Sequence, residues 1–65
     1  MIGSVLKSYR KEAGMTQEEL AQAAGVHRTY ISLLERNQKS PTLKVYFQLC
    51  QALDSAPSKF MADIE

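Results

Sequence analysis

The stretch Thr16-Gln17-Glu18-Glu19-Leu20-Ala21-Gln22-Ala23-Ala24-Gly25-Val26-His27-Arg28-Thr29-Tyr30-Ile31-Ser32-Leu33-Leu34-Glu35-Arg36-Asn37 decides the fold. It opens with a capping box, in which the Thr16 hydroxyl can accept from the Glu19 backbone N–H while the Glu19 carboxylate reaches back. Leu20, Ala21 and Ala24 give the apolar face of a helix of barely two turns, and Gly25 ends it. A second helix is expected from about His27 to Arg36 with Tyr30, Ile31 and Leu34 facing inward. Asn37 can take the left-handed conformation that closes it. The apolar positions are few, and each has a physical reason. Ala21 is small where another helix must cross closely, and Gly25 permits the positive φ of a tight turn. Val26 packs beneath that turn, while Leu20, Ile31 and Leu34 fill the wedge between the helices.

Outward from this pair the punctuation marks off further short helices. On the N-terminal side, Ile2, Val5, Leu6, Tyr9 and Ala13 recur at helical spacing, and Gly14 is a plausible stop. On the C-terminal side, Gln38-Lys39-Ser40-Pro41 is a polar loop and Thr42 can cap a fourth helix. There Leu43, Tyr46, Phe47, Cys50 and Leu53 form one expected buried stripe. Pro57 suits the first turn of a last short helix, near 57–64, bearing Phe60, Met61 and Ile64. No stretch alternates with period two. The expectation is an all-α, five-helix single domain over 1–65. Its centre is a near-perpendicular helix-turn-helix at 17–36 rather than an antiparallel hairpin.

Composition agrees. In 65 residues, 45% are hydrophobic and 23% charged, which is a globular balance with room for one small core. Cys50 is the only cysteine and His27 the only histidine, so neither an intramolecular disulfide nor a clustered zinc site is available. No apolar run is long enough for a membrane helix and no signal-peptide layout opens the chain; a cytoplasmic location is the default expectation. The net charge of +1 hides an asymmetry. Residues 1–44 carry seven basic and four acidic side chains, and between His27 and Lys44 Arg28, Arg36, Lys39 and Lys44 face Glu35 alone. Such a segment points to a polyanion-facing side, with a solvated basic face as the plain alternative.

At Gly14-Met15-Thr16-Gln17-Glu18-Glu19-Leu20-Ala21, Gly25-Val26, Tyr30-Ile31-Ser32, Glu35-Arg36-Asn37 and Pro41-Thr42 the chain resembles the phage repressor/Cro-type helix-turn-helix proteins, the XRE family. Within that family, Arg28-Thr29-Tyr30-Ile31-Ser32 with Glu35-Arg36-Asn37 looks most like the small controller proteins of restriction–modification systems. The resemblance implies a lambda-repressor-like domain that places the helix after Gly25 in the major groove. It implies a phosphate contact for Gln17, where backbone N–H groups and the positive end of a helix point outward. It also implies an ion pair between Arg10 and Glu35 joining the first helix to the third, with Arg10 a further candidate near a phosphate.

With Tyr30, Ile31 and Leu34 inward, the outward face of the recognition helix is Arg28, Thr29, Ser32 and Leu33, with His27 at its entry. These are the candidate base contacts. Arg28 can give two hydrogen bonds to guanine O6 and N7; the alternative is a phosphate-bound or solvated arginine. Thr29 offers a methyl to thymine and a hydroxyl to base or phosphate. Leu33 is either a thymine-methyl contact or a spacer. His27 departs from the Ser, Thr or Asp usual in the family at this entry, and serves as a weak cap or a donor to DNA. Tyr30 matches a family position whose hydroxyl meets phosphate, and is also a half-buried aromatic. Lys39 and Ser40 look like backbone contacts, with Lys44 a further candidate. Cys50 is most simply core packing.

The function expected is sequence-specific binding of double-stranded DNA by a homodimeric transcriptional regulator on a near-palindromic operator, with Phe60, Met61 and Ile64 as the dimer element. Two alternatives compete: an antitoxin-type repressor that also binds a toxin, and a helical protein-interaction module. An enzyme is disfavoured because no nucleophile, paired carboxylates or phosphate loop form a catalytic constellation. No cofactor, metal or small-molecule ligand is expected.

Overall fold

The computed structural model describes residues 2–54. Four helices follow in order: α1 (Ile2–Glu12), α2 (Gln17–Ala24), α3 (Arg28–Glu35) and α4 (Leu43–Ala52), with no strand among the described residues. The domain is therefore all-α, with four helices rather than five among those residues. The expected last helix, with Pro57, Phe60, Met61 and Ile64, lies outside them.

Local chemistry sets the boundaries. The capping box of α2 is complete: the Glu19 N–H donates to Thr16 Oγ1 at 3.1 Å, and the Thr16 N–H donates to Glu19 Oε1 at 2.8 Å. At the other end Gly25 has φ +72°, its N–H reaches Gln22 O at 3.3 Å, and the Val26 N–H reaches Ala21 O at 2.9 Å. This is a Schellman close, which satisfies carbonyls the helix would otherwise leave unpaired. Helix α3 ends by the same device with Asn37 at φ +59°, Asn37 N–H to Leu34 O at 3.1 Å and Gln38 N–H to Leu33 O at 2.9 Å. Thr42 caps α4 by accepting from the Val45 N–H at 3.2 Å. Helix α1 stops at Glu12, with Gly14 at φ +70° beyond it. Ala13 thus falls outside the helix and is exposed, contrary to its place in the apolar repeat.

Helix α2 packs against both α3 and α4, and α1 packs against α3. The shared core is Leu6, Leu20, Ala21, Ala24, Ile31, Leu34, Tyr46, Leu49 and Cys50, with Val26, Tyr30 and Leu53 among the partly buried residues around it. The expected stripe on α4 is corrected here. Leu43 is 70% and Phe47 45% exposed, while Leu49, absent from that stripe, is fully buried. The buried arc runs through Tyr46, Leu49 and Cys50, with Leu53 partly buried at the cap. Phe47 follows Tyr46 by one residue, a rotation of about 100° that carries it off the arc. Its ring meets the edge of Tyr46, with centroids 5.6 Å apart. Burial pushes the Cys50 thiol above its ordinary pKa against the opposing effect of a hydrogen bond with Tyr46, and fixes it as a core side chain.

One close approach shapes the packing of α1. Gly3 is buried, and its N–H, unpaired within the helix at this first-turn position, donates to Asn37 Oδ1 at 2.9 Å. The asparagine that closes α3 therefore also caps α1.

Candidate nucleic-acid interface

Helix α3 is anchored by Ile31 and Leu34, both at zero exposure. That fixes which of its side chains reach solvent. His27, Arg28 and Thr29 are exposed together at its N-terminal end, whereas Ser32 and Leu33 are half-buried. His27 caps the helix through Nδ1, which accepts from the Thr29 N–H at 3.3 Å. That distance is long, as expected of imidazole in place of a hydroxyl or carboxylate. Arg28 and His27 share a shallow depression with Glu18, Ala21, Gln22 and Val26 at the junction of α2 and α3.

Behind this surface lies a polar joint that composition alone does not reveal. The Arg10 Nε donates to Glu35 Oε2 at 2.6 Å and Nη2 donates to Glu35 Oε1 at 3.2 Å, while Nη1 donates to the Met15 carbonyl at 2.8 Å. Both side chains are nearly enclosed, at 10% and 4% exposure. The expected ion pair is thus formed, and it is bidentate, the geometry in which a guanidinium binds a carboxylate most specifically. All three Arg10 nitrogens have internal acceptors, so the structure places this residue in the interior and not among the surface cations. Gln17 Nε2 adds a third side-chain contact to the same carboxylate, donating to Glu35 Oε1 at 3.0 Å. Arg10 lies on α1, Gln17 on α2 and Glu35 on α3.

The pairing also sharpens the charge asymmetry. The single carboxylate between His27 and Lys44 is turned inward and matched by Arg10, whereas Arg28, Arg36, Lys39 and Lys44 are all exposed. Ser40 is exposed beside Lys39, and Tyr30 is half-buried with the Lys39 Nζ 5.4 Å from its ring centroid. Arg36 is a further exposed cation, and its Nε donates to the Ser32 carbonyl at 3.4 Å. The Gln17–Glu35 and Tyr30–Lys39 contacts are not legible in the sequence. Neither has a local signal, since Gln17 and Glu35 stand 18 residues apart. Phe60, Met61 and Ile64, the candidate dimer residues, lie outside the described residues.

Comparison with known proteins gives this arrangement a lineage. Residues 6–60 match the family described as Helix-turn-helix. The chain is 38% identical over 56 residues to the control protein C.SmaI of Serratia marcescens, covering 86% of this chain and 67% of that protein. It is 44% identical over 55 residues to the transcriptional regulator SinR of Bacillus subtilis, covering 83% of this chain but only 50% of SinR. Among solved structures, the restriction–modification controller protein C.AhdI of Aeromonas hydrophila superposes with a TM-score of 0.88 at 34% identity, over 91% of this chain and 89% of that one. Exposed cations on and after a short helix and these relatives lead to one assignment: the chain belongs to the XRE-type helix-turn-helix family of DNA-binding transcriptional regulators.

Proposed function

We propose that the protein binds double-stranded DNA sequence-specifically as a homodimer on a near-palindromic operator, acting as a regulator of the controller or repressor type. The observation that carries this reading is the joint exposure of His27, Arg28 and Thr29 at the start of α3, in a segment where Arg36, Lys39 and Lys44 are also exposed and no carboxylate between residues 27 and 44 is. Arg28 reads a guanine, and Thr29 and His27 contact neighbouring base edges. Ser32 and Leu33, half-buried, line the helix side of the groove. Gln17, Tyr30, Lys39, Ser40 and Lys44 hold the phosphate backbone, which supplies much of the affinity but little of the sequence information. Arg10 serves the fold through Glu35.

A domain of this size reads a short half-site, and the two-fold partner supplies the second, about 34 Å or one helical turn away. Phe60, Met61 and Ile64 are the proposed interface. The exposed Leu43 and Phe47 on α4 offer a further apolar surface for the same pairing. The resemblance to C.SmaI and C.AhdI supports the controller subtype. The protein acts in the cytoplasm, without enzymatic activity, metal or cofactor. Selection of bound duplexes from a random pool, followed by sedimentation of the complex on the selected site, tests the reading. A palindromic consensus bound by two protomers is expected; recovery of no consensus, or a single protomer on the site, refutes it.

A further inference from the structure

Lys39 is held in an unusual way for a surface cation. Its ammonium lies over the Tyr30 ring, 5.4 Å from the centroid, and among the described residues no carboxylate pairs with it. Tyr30 is itself steadied, half-buried on α3 and packed against the core. Lys39, by contrast, sits on the exposed linker between α3 and α4, two residues beyond the left-handed Asn37. A lysine on such a loop would otherwise sample many rotamers, and ordering it on DNA would cost entropy. An ion pair could order it too, but a carboxylate would neutralise its charge and compete with phosphate for the same N–H donors. An aromatic face attracts the cation through its quadrupole, leaving the charge intact and the ammonium hydrogens facing away from the ring free.

We infer that the Tyr30 ring is a platform that pre-positions the Lys39 ammonium for a DNA backbone phosphate, making Tyr30 a positioning residue that acts through Lys39 as well as a contact in its own right. The inference rests on the DNA-binding reading above. It differs from a hydroxyl contact because the ring, rather than the oxygen, carries it. The aromatic carbons needed are present in phenylalanine and missing in leucine.

The test is a double-substitution cycle in the full chain, with Tyr30→Phe, Tyr30→Leu and Lys39→Met made singly and in combination. Each protein is titrated against the selected duplex at several salt concentrations, and the Lys39 ε-methylene proton shifts are recorded in the free protein. Those protons are expected upfield in the wild type and in Tyr30→Phe, from the shielding of the ring face, and at ordinary values in Tyr30→Leu. Lys39→Met is expected to lower the salt slope by about one unit per protomer. It should weaken binding by the same factor with Tyr or Phe at position 30, and by a factor about two- to five-fold smaller with Leu. If Lys39→Met costs as much beside Leu as beside Tyr, Tyr30 is only structural and the platform is overturned. Unshifted ε-methylene protons in the wild type overturn it as well. A Lys39→Met protein with unchanged affinity and salt slope removes Lys39 from the phosphate contacts and the platform with it, while DNA binding by the domain stands. A wild type that binds no duplex overturns the DNA-binding reading itself.

Discussion

Adding one methyl group at Gly3 tests the packing of α1 more sharply than any surface change. Helix propensity alone predicts that Gly3→Ala stabilises the protein, by up to about 1 kcal/mol. The structure predicts the opposite sign. A Cβ at this position collides with the Glu35 carbonyl oxygen, and lies 2.9 Å from the carbonyl carbon and 2.8 Å from Asn37 Oδ1. Two of those three atoms are backbone at the end of α3 and cannot swing aside. Helix α1 must therefore move off α3. That stretches the Gly3 N–H bond to Asn37, worth about 1 kcal/mol, and strains the packing around Leu6 by about 1–3 kcal/mol. After subtraction of the propensity gain, the net loss is about 1–3 kcal/mol, or a fall in Tm of about 5–20 °C for a domain of this size. Thermal and urea unfolding followed by helical circular dichroism measure it, with Ser8→Ala at an exposed site of the same helix as the propensity reference. A Tm for Gly3→Ala equal to or above the wild type would show that the close approach of α1 to the end of α3 is not made.

Four further outcomes are expected. Arg28→Ala costs about 1–3 kcal/mol on the selected site and relaxes discrimination at one guanine per half-site, whereas Lys39→Ala weakens all sequences alike; equal losses on every single-base variant would make Arg28 a phosphate contact. Gly25→Val destabilises by more than about 1 kcal/mol through its φ of +72° alone, since a Cβ there meets no atom within 4 Å; an unchanged denaturation midpoint refutes this. Arg10→Met strands the enclosed Glu35 carboxylate and costs about 3–5 kcal/mol in urea unfolding, and a loss below about 1 kcal/mol would mean the pair is solvated. Leu43→Glu places a charge on the proposed dimer surface and shifts the self-association equilibrium towards monomer in sedimentation, while a helical spectrum like the wild type's excludes unfolding as the cause.

What could be read in the sequence was what is decided within a few residues. Thr16, Gly25, Asn37 and Thr42 each act on backbone groups three or four positions away, so their residue types announce the helix ends without knowledge of the rest of the chain. The core-facing Leu20, Ile31 and Leu34 followed from the same local periodicity. Helix α4 shows where periodicity fails. Its ten residues carry apolar side chains on most of its circumference, and the choice between an arc through Leu49 and one through Leu43 and Phe47 belongs to α2, which packs on it. Long-range polar contacts were equally hidden, with one exception. The Gly3–Asn37 bond joins residues 34 apart, and nothing in a lone glycine near a chain start marks it. The Arg10–Glu35 pair was foreseen only through resemblance to a family, since 25 residues separate its members.

Glu35 receives Arg10 from α1 and Gln17 from α2 while standing at the end of α3, and Arg10 also grips the Met15 carbonyl ahead of α2. Three helices thus share one pin. In the proposed complex the jaw that rests on the sugar–phosphate rail, around Gln17, and the jaw that enters the groove, around Arg28, are tied through these bonds, so a change in their spacing must break at least one of them. The domain then behaves as a fixed caliper: a duplex whose groove is too wide or too narrow must bend to fit it, at an energetic cost that depends on base sequence even where no side chain touches a base.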